Sequence, residues 1–234
     1  MDESQSFPEE TMICRLAGRT CVGTFESHIT ISATDELSHE RFRETCCEIG
    51  VKAVLIELPT GRSPTQLMTG AYHRGNVQQA SADVASMVRR LRAAGFAVTR
   101  VKLEAIATNE DLPESDAEAI AQPGGCYFEF HLKLNLAASA DLATLTAICE
   151  DYDARLSRNA FKVQQNGRCE RFVNMRLYRV GRTTAFQRFE ALKQTLQGAG
   201  FEVLNQQREY AVFDSDAALD AGWLDHPPDE PEEA

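Results

Sequence analysis

The sequence predicts an α+β fold, a tandem duplication of a ferredoxin-like βαββαβ sandwich whose two antiparallel sheets face each other across an inter-lobe cleft. Three observations predict it. The segment Phe25-Glu-Ser-His-Ile-Thr-Ile-Ser32 returns as Phe128-Glu-Phe-His-Leu-Lys-Leu-Asn135. The offset between matching residues is nearly constant, at 103 for His28 to His131 and for Cys46 to Cys149, and at 105 for Gly95 to Gly200, Phe96 to Phe201 and Glu104 to Glu209. Each copy also reads strand, helix, strand, strand, helix, strand from its hydrophobic period, and that order with right-handed crossovers gives a four-stranded sheet with both helices on one face.

Each element has its own signal. Residues 1–20 form an N-terminal arm in which Met12-Ile-Cys-Arg-Leu16 reads either as a short strand or as a segment laid across a lobe. Lobe 1 covers 21–107. Its first strand alternates Phe25, Ile29 and Ile31 on one face with Glu26, His28 and Thr30 on the other. Asp35 caps a helix striped by Phe42, Cys46 and Ile49 and stopped by Gly50. Val51–Leu58 is a strand, Pro59-Thr-Gly61 a turn, and Thr65–His73 the next strand. Val77, Ala80, Val84, Val88 and Leu91 stripe the second helix, Gly95 stops it, and 96–105 is the last strand.

An exposed polar linker occupies 108–125, and lobe 2 covers 126–216. Leu142, Leu145, Cys149, Tyr152 and Leu156 stripe its first helix, and Phe189, Leu192 and Leu196 its second. The segment 217–234 carries the single tryptophan, Trp223, which we expect to dock against a lobe. The acidic, proline-rich end from Asp225 reads as disordered.

Composition narrows the function. The chain has 234 residues, 43% hydrophobic and 25% charged, with a net charge of -11. That charge argues against general nucleic-acid backbone binding, which needs a basic footprint. No apolar run approaches the roughly 20 residues of a membrane span, and the N-terminus does not read as a signal peptide, so the expectation is a cytoplasmic protein with no membrane partner. Seven cysteines without CxxC spacing are read as reduced thiols. Cys46 and Cys149, equivalent on their helix stripes, read as core.

The helix-free faces carry the chemistry. Lobe 1 offers Glu26, His28 and Thr30 from its first strand, Arg100, Lys102 and Glu104 from its last, and Thr69 and His73 from its third. Lobe 2 offers Glu129, His131 and Lys133, then Asn174, Arg176 and Tyr178, then Asn205, Gln207 and Glu209. One plain explanation is a solvated sheet face whose charges confer solubility. It leaves Glu-x-His recurring in both first strands unexplained. A small anionic ligand, a nucleotide or phosphoester, fits a cleft with Lys and Arg as anchors and His as proton carrier. His28 and His131 are then the catalytic pair, Thr30, Lys102, Lys133 and Arg176 hold the anion, and Glu104 and Glu209 orient the imidazoles or ligate a metal.

His28-Ile-Thr30 resembles the His-x-Thr/Ser motif of the two-histidine (2H) phosphoesterase family, which carries two such motifs on pseudo-symmetric lobes; the second copy here reads His131-Leu-Lys133. The resemblance implies a hydrolase of phosphoesters in which one imidazole takes a proton from the nucleophile and the other protonates the leaving oxygen. Two other classes compete. His28, Glu104, His131 and Glu209 could ligate a divalent metal cofactor, a donor set that resembles that of the duplicated vicinal-oxygen-chelate enzymes. Alternatively, the chain is a non-enzymatic ligand-binding or scaffold module, and association through a sheet face makes an oligomer a further candidate. Asp214-Ser-Asp-Ala-Ala-Leu-Asp220 has the loose carboxylate spacing of a cation loop but lacks the glycine and closing Glu of an EF-hand, and reads as a capped segment.

Overall fold

The computed structural model describes residues 9–32, 36–161 and 168–224. The proposed cap at Asp35 and the acidic tail from Asp225 lie outside the described residues. The chain is α+β, with six α-helices and eight strands among the described residues, antiparallel in every pairing described. It divides into two compact units.

Unit 1 comprises Met1–Ile56, Thr65–Leu112 and Glu209–Asp216. Its elements are α1 (Glu9–Leu16), β1 (Val22–Ile31), α2 (Glu36–Ile49), β2 (Lys52–Glu57, to Ile56), β3 (Thr65–Asn76), α3 (Val77–Ala93) and β4 (Val98–Ile106). Strand neighbours run β4-β1-β3-β2. The helix forms at α3 because Asn76 closes a capping box: its side chain accepts the Gln79 N–H at 2.8 Å while Gln79 Oε1 accepts the Asn76 N–H at 3.0 Å. The predicted stripe Val77, Ala80, Val84, Val88 and Leu91 is fully buried. On α2, Phe42 and Cys46 are buried, and Phe42 meets Phe96 edge-on at 5.4 Å between ring centroids. Gly50, at φ +79°, ends α2 as expected, with Val51 N–H reaching back to Cys46 O at 2.9 Å.

Of the two readings of the arm, the strand does not form; it is a segment laid across unit 1, and it is helical, as α1. It buries Met12 and Leu16, lies against α3, and is tied there by Gln78 Nε2 donating to Leu16 O at 3.2 Å and Arg19 O at 2.8 Å.

Unit 2 comprises Glu57–Pro64, Pro113–Arg208 and Ala217–Ala234. Its elements are α4 (Asp116–Ile120), β5 (Tyr127–Ala137), α5 (Leu142–Asp151), β6 (Ala154–Asn159), β7 (Arg168–Tyr178), α6 (Arg182–Gly198), the first part of β8 (Glu202–Asp214) and a 3-10 turn, Ala217–Asp220. Strand neighbours run β8-β5-β7-β6, the order seen in unit 1. Phe128, Phe130, Phe189, Leu192 and Leu196 form the core, with Phe130 and Phe189 rings 4.7 Å apart. Leu145 and Cys149 of the α5 stripe are buried, whereas Leu142, at the first turn, stays exposed. Trp223 docks as expected: it is buried, donates Nε1–H to Leu156 O at 3.1 Å, and its Cβ lies 3.1 Å from where a Gly61 side chain would begin.

One expectation changes. Two separate sheets are not shown, because β8 is a single strand serving both units: residues 209–214 pair with β4, Lys102 opposite Asp214 and Ile106 opposite Glu209. The linker is exposed over most of its length, as expected, and is anchored at a few points. Asn109, Leu112 and Ala119 are buried, and Ser115 caps α4 in a capping box with Glu118. The same segment covers the start of α6, where Asp116 Oδ1 accepts the Gly181 N–H at 2.7 Å and Glu114 O accepts the Thr183 N–H at 3.2 Å.

Candidate functional site

Strand pairing in unit 1 brings the expected polar residues to one face. Glu26 lies opposite Glu104, His28 opposite Lys102, and Thr30 opposite Arg100. On the far side of β4 a bulge between Leu103 and Glu104 resets the register so that Glu104 faces Ala211 and Ile106 faces Glu209, which puts Glu209 on the same face as Glu104. This face is not solvated: Glu26, Thr30, Arg100, Lys102, Glu104 and Glu209 are all buried. Burial at this density rules out a role as solubilising surface charge and demands partners.

His28 is the half-exposed member. Its Nδ1–H donates to Thr69 O at 3.0 Å, which fixes the ring and leaves Nε2 for chemistry. Nε2 lies 3.5 Å from Glu104 Oε2 and 3.8 Å from Glu26 Oε1. Lys102 Nζ sits 2.9 Å from Glu104 Oε1 but off the direction a hydrogen bond needs, so both oxygens of a carboxylate with 0% exposure accept no hydrogen bond. Arg100 is committed elsewhere, with Nε and Nη2 gripping Asp214 at 2.9 and 2.5 Å. Thr30 contributes its carbonyl oxygen, which accepts from Thr99 Oγ1 at 3.2 Å.

Thr69 and His73 do not join this face. His73 pairs with Phe25, so its side chain belongs to the helix-covered side, and Thr69 Oγ1 is spent accepting the Ile29 N–H at 3.1 Å. His73 bridges Ser27 Oγ at 2.8 Å and Asp83 Oδ2 at 3.4 Å. The expected phase was one residue out because Leu67-Met68 interrupts the alternation of β3.

Unit 2 carries the corresponding stripe. Glu129 lies opposite Arg176 and His131 opposite Asn174. His131 Nδ1 meets Asn174 Oδ1 at 2.7 Å, and the Asn174 amide donates to Arg155 O and Ser157 Oγ, both at 3.0 Å. The ring is thus fixed through Nδ1 as His28 is. Lys133 pairs with Glu170 at 2.5 Å. Arg176 is buried between two carboxylates, with Nη2 donating to Asp220 at 2.8 Å and to Glu129 at 3.2 Å, and with its guanidinium 4.4 Å over the Tyr127 ring. Burial alone pushes this guanidinium down, but Glu129, then Tyr127 and Asp220, outweigh it and hold it well above the ordinary arginine value. Its Nε and Nη1 donate no hydrogen bond in this arrangement.

Asp214 and Asp220, read from the sequence as a capped terminal segment, are instead the long-range partners of Arg100 and Arg176. Cys46 and Cys149 are pushed up to about 12 by burial and Cys21 to about 11, as core thiols should be. Among the described residues no group of three or more His, Cys, Asp or Glu side chains is arranged to hold a metal ion, and no helix is long and apolar enough to cross a membrane. A scan against protein-family models returned no match, and a search of the curated proteins returned none.

Proposed function

We propose that the helix-free face of unit 1 binds and hydrolyses a small phosphoester, with His28 as the proton carrier, Lys102 as the anion anchor and Glu104 as the group that holds the imidazole to its task. The observation that carries this reading is Glu104 itself: a wholly buried carboxylate, accepting no hydrogen bond, beside Lys102 and the free nitrogen of a fixed imidazole. Such a group is costly to keep for stability alone, and clusters of this kind concentrate at functional sites. Two carboxylates against one lysine favour a phosphodiester, with its single charge, over a doubly charged monoester.

The reading includes three finer expectations. The units are two copies of one ferredoxin-like module, which the repeated element and strand orders support. His131, fixed through Nδ1 in the same manner, is the second copy of the device. The chain works in the cytosol, with its seven thiols reduced.

The test uses bis(4-nitrophenyl) phosphate with the full chain, measuring thermal shift and nitrophenolate release. Binding should raise Tm, and His28→Ala should lower turnover by about 100-fold or more. Binding without turnover in the wild type would make the chain a ligand-binding module, and no response to any phosphodiester would end the phosphate reading.

A further inference from the structure

The two histidines of the polar faces are held through Nδ1 by different means. His28 reaches a main-chain acceptor, Thr69 O at 3.0 Å, and Gly70 lies beside its ring, where an added Cβ would come within 3.9 Å of His28 Cε1. A carbonyl only accepts, so Nδ1 of His28 carries a proton whether the ring is neutral or charged. In unit 2 the acceptor is a side chain. His131 lies opposite Asn174, and its Nδ1 meets Asn174 Oδ1 at 2.7 Å. An amide has a donor end and an acceptor end, so the proton on His131 depends on which way Asn174 points.

Three groups around Asn174 set that direction. Its Nδ2 lies 3.0 Å from Arg155 O, 3.2 Å from Phe172 O and 3.0 Å from Ser157 Oγ. The Ser157 hydroxyl can serve either end of the amide, but the two carbonyls only accept. A reversed amide would press its oxygen against both of them, at a position buried from solvent. Oδ1 therefore faces His131, and Nδ1 donates to it in the neutral ring and in the imidazolium alike. Protons enter and leave this ring at Nε2.

We infer that Asn174 is the positioning residue of the second imidazole: it fixes His131 as the Nδ1–H tautomer and makes Nε2 the atom through which a proton passes, the state that Thr69 O imposes on His28. The inference rests on the phosphoester reading for the identity of the substrate. It adds that each ring accepts a proton at Nε2 when neutral and returns it from Nε2 when charged, without turning over.

The test reads the ring nitrogens of the full chain, labelled with 15N-histidine, in long-range 1H–15N spectra recorded where the imidazoles are neutral. Wild type should show His131 protonated at Nδ1 and bare at Nε2, and a proton on Nε2 instead overturns the inference without any variant. Ser157→Ala should change nothing, because both carbonyls still orient the amide. Asn174→Leu leaves Nδ1 without its acceptor, so the Nε2 signal should move toward the protonated position and the Nδ1 signal the opposite way. Asn174→Asp restores an acceptor and should return the Nδ1–H form. Were Asn174 only a tie between β6 and β7, the tautomer would be the same in every variant, and that result overturns the inference.

Should Asn174→Leu fail to fold by circular dichroism, Asn174→Asp decides: a carboxylate at Nδ1 should raise the His131 titration midpoint by about one unit or more, and an unmoved midpoint overturns the inference. Bis(4-nitrophenyl) phosphate separates the two readings. Where wild type turns it over, Asn174→Leu should lower kcat about fivefold or more with KM within about twofold, and an unchanged kcat overturns the assignment. A tautomer released by Asn174→Leu with no turnover by wild type keeps Asn174 in its role and ends the phosphoester reading. Turnover by wild type with an unmoved tautomer does the reverse.

Discussion

Replacing Arg176 with methionine should be among the most damaging single changes in unit 2, and the structure sets the size of the effect. Methionine occupies much of the arginine stem's volume, so packing changes little and the loss is electrostatic. Glu129 and Asp220, which Arg176 holds at 3.2 and 2.8 Å, are left buried without their cation. Removing one partner of a buried ion pair costs about 3–5 kcal/mol, and the contact over Tyr127 adds roughly 1 kcal/mol. Against a total stability of about 5–15 kcal/mol, this lowers the urea midpoint by roughly 2 M at a typical slope.

Equilibrium urea unfolding followed by tryptophan fluorescence suits the purpose, because Trp223 docks in the same unit. The charge argument makes a second demand. Adding Glu129→Gln to Arg176→Met should recover part of the loss, since it removes one of the stranded charges. A loss below about 1 kcal/mol in the single variant, or a further loss in the double variant, would refute the reasoning.

Two further predictions concern backbone and pH. Gly181→Ala places a Cβ 2.3 Å from Ser115 C and 2.5 Å from Glu114 O, so it should destabilise by about 1–3 kcal/mol, whereas Gly198→Ala meets nothing within 4 Å and should stabilise by about 0.5 kcal/mol; thermal unfolding of both variants checks the contrast. At the junction of α4 with α6, Thr183 and Arg182 hold the Glu114 carboxyl below its usual value, the Gly181 N–H does the same for Asp116, and the Ser115 N–H for Glu118. Carboxyls lowered in the folded state contribute stability above their ordinary values near ~4 and lose it as pH falls through the lower folded values. Hydrogen exchange at 113–121 and 181–184 should therefore accelerate selectively below about pH 4, and a flat profile there would contradict the assignment.

Much of the polar face was legible in the sequence because side-chain direction in a strand has period two. Once Phe25, Ile29 and Ile31 are assigned to the core, Glu26, His28 and Thr30 have one face left, and the observed register sets them opposite Glu104, Lys102 and Arg100. The same holds for Glu129 and His131 opposite Arg176 and Asn174. The phase of β3 was not legible, because Leu67 and Met68 are adjacent apolar residues and a one-residue slip sends every side chain to the other face. Burial of the polar face was not legible either, since an alternating strand reads identically whether its polar side meets water or protein. Asp214 and Asp220 show a third limit. Their partners Arg100 and Arg176 are far away in the chain, so no local spacing announces the pairs.

The imidazole nitrogens of His28 test the central claim most directly. Long-range 1H–15N spectra of the full chain, titrated with bis(4-nitrophenyl) phosphate, separate Nδ1, bound to Thr69 O, from Nε2, which faces Glu104. The account predicts a saturable shift at His28 Nε2, absent at His39 and lost in Lys102→Met. A His28 signal that stays unmoved while the ligand binds elsewhere, or that moves equally in Lys102→Met, would contradict it.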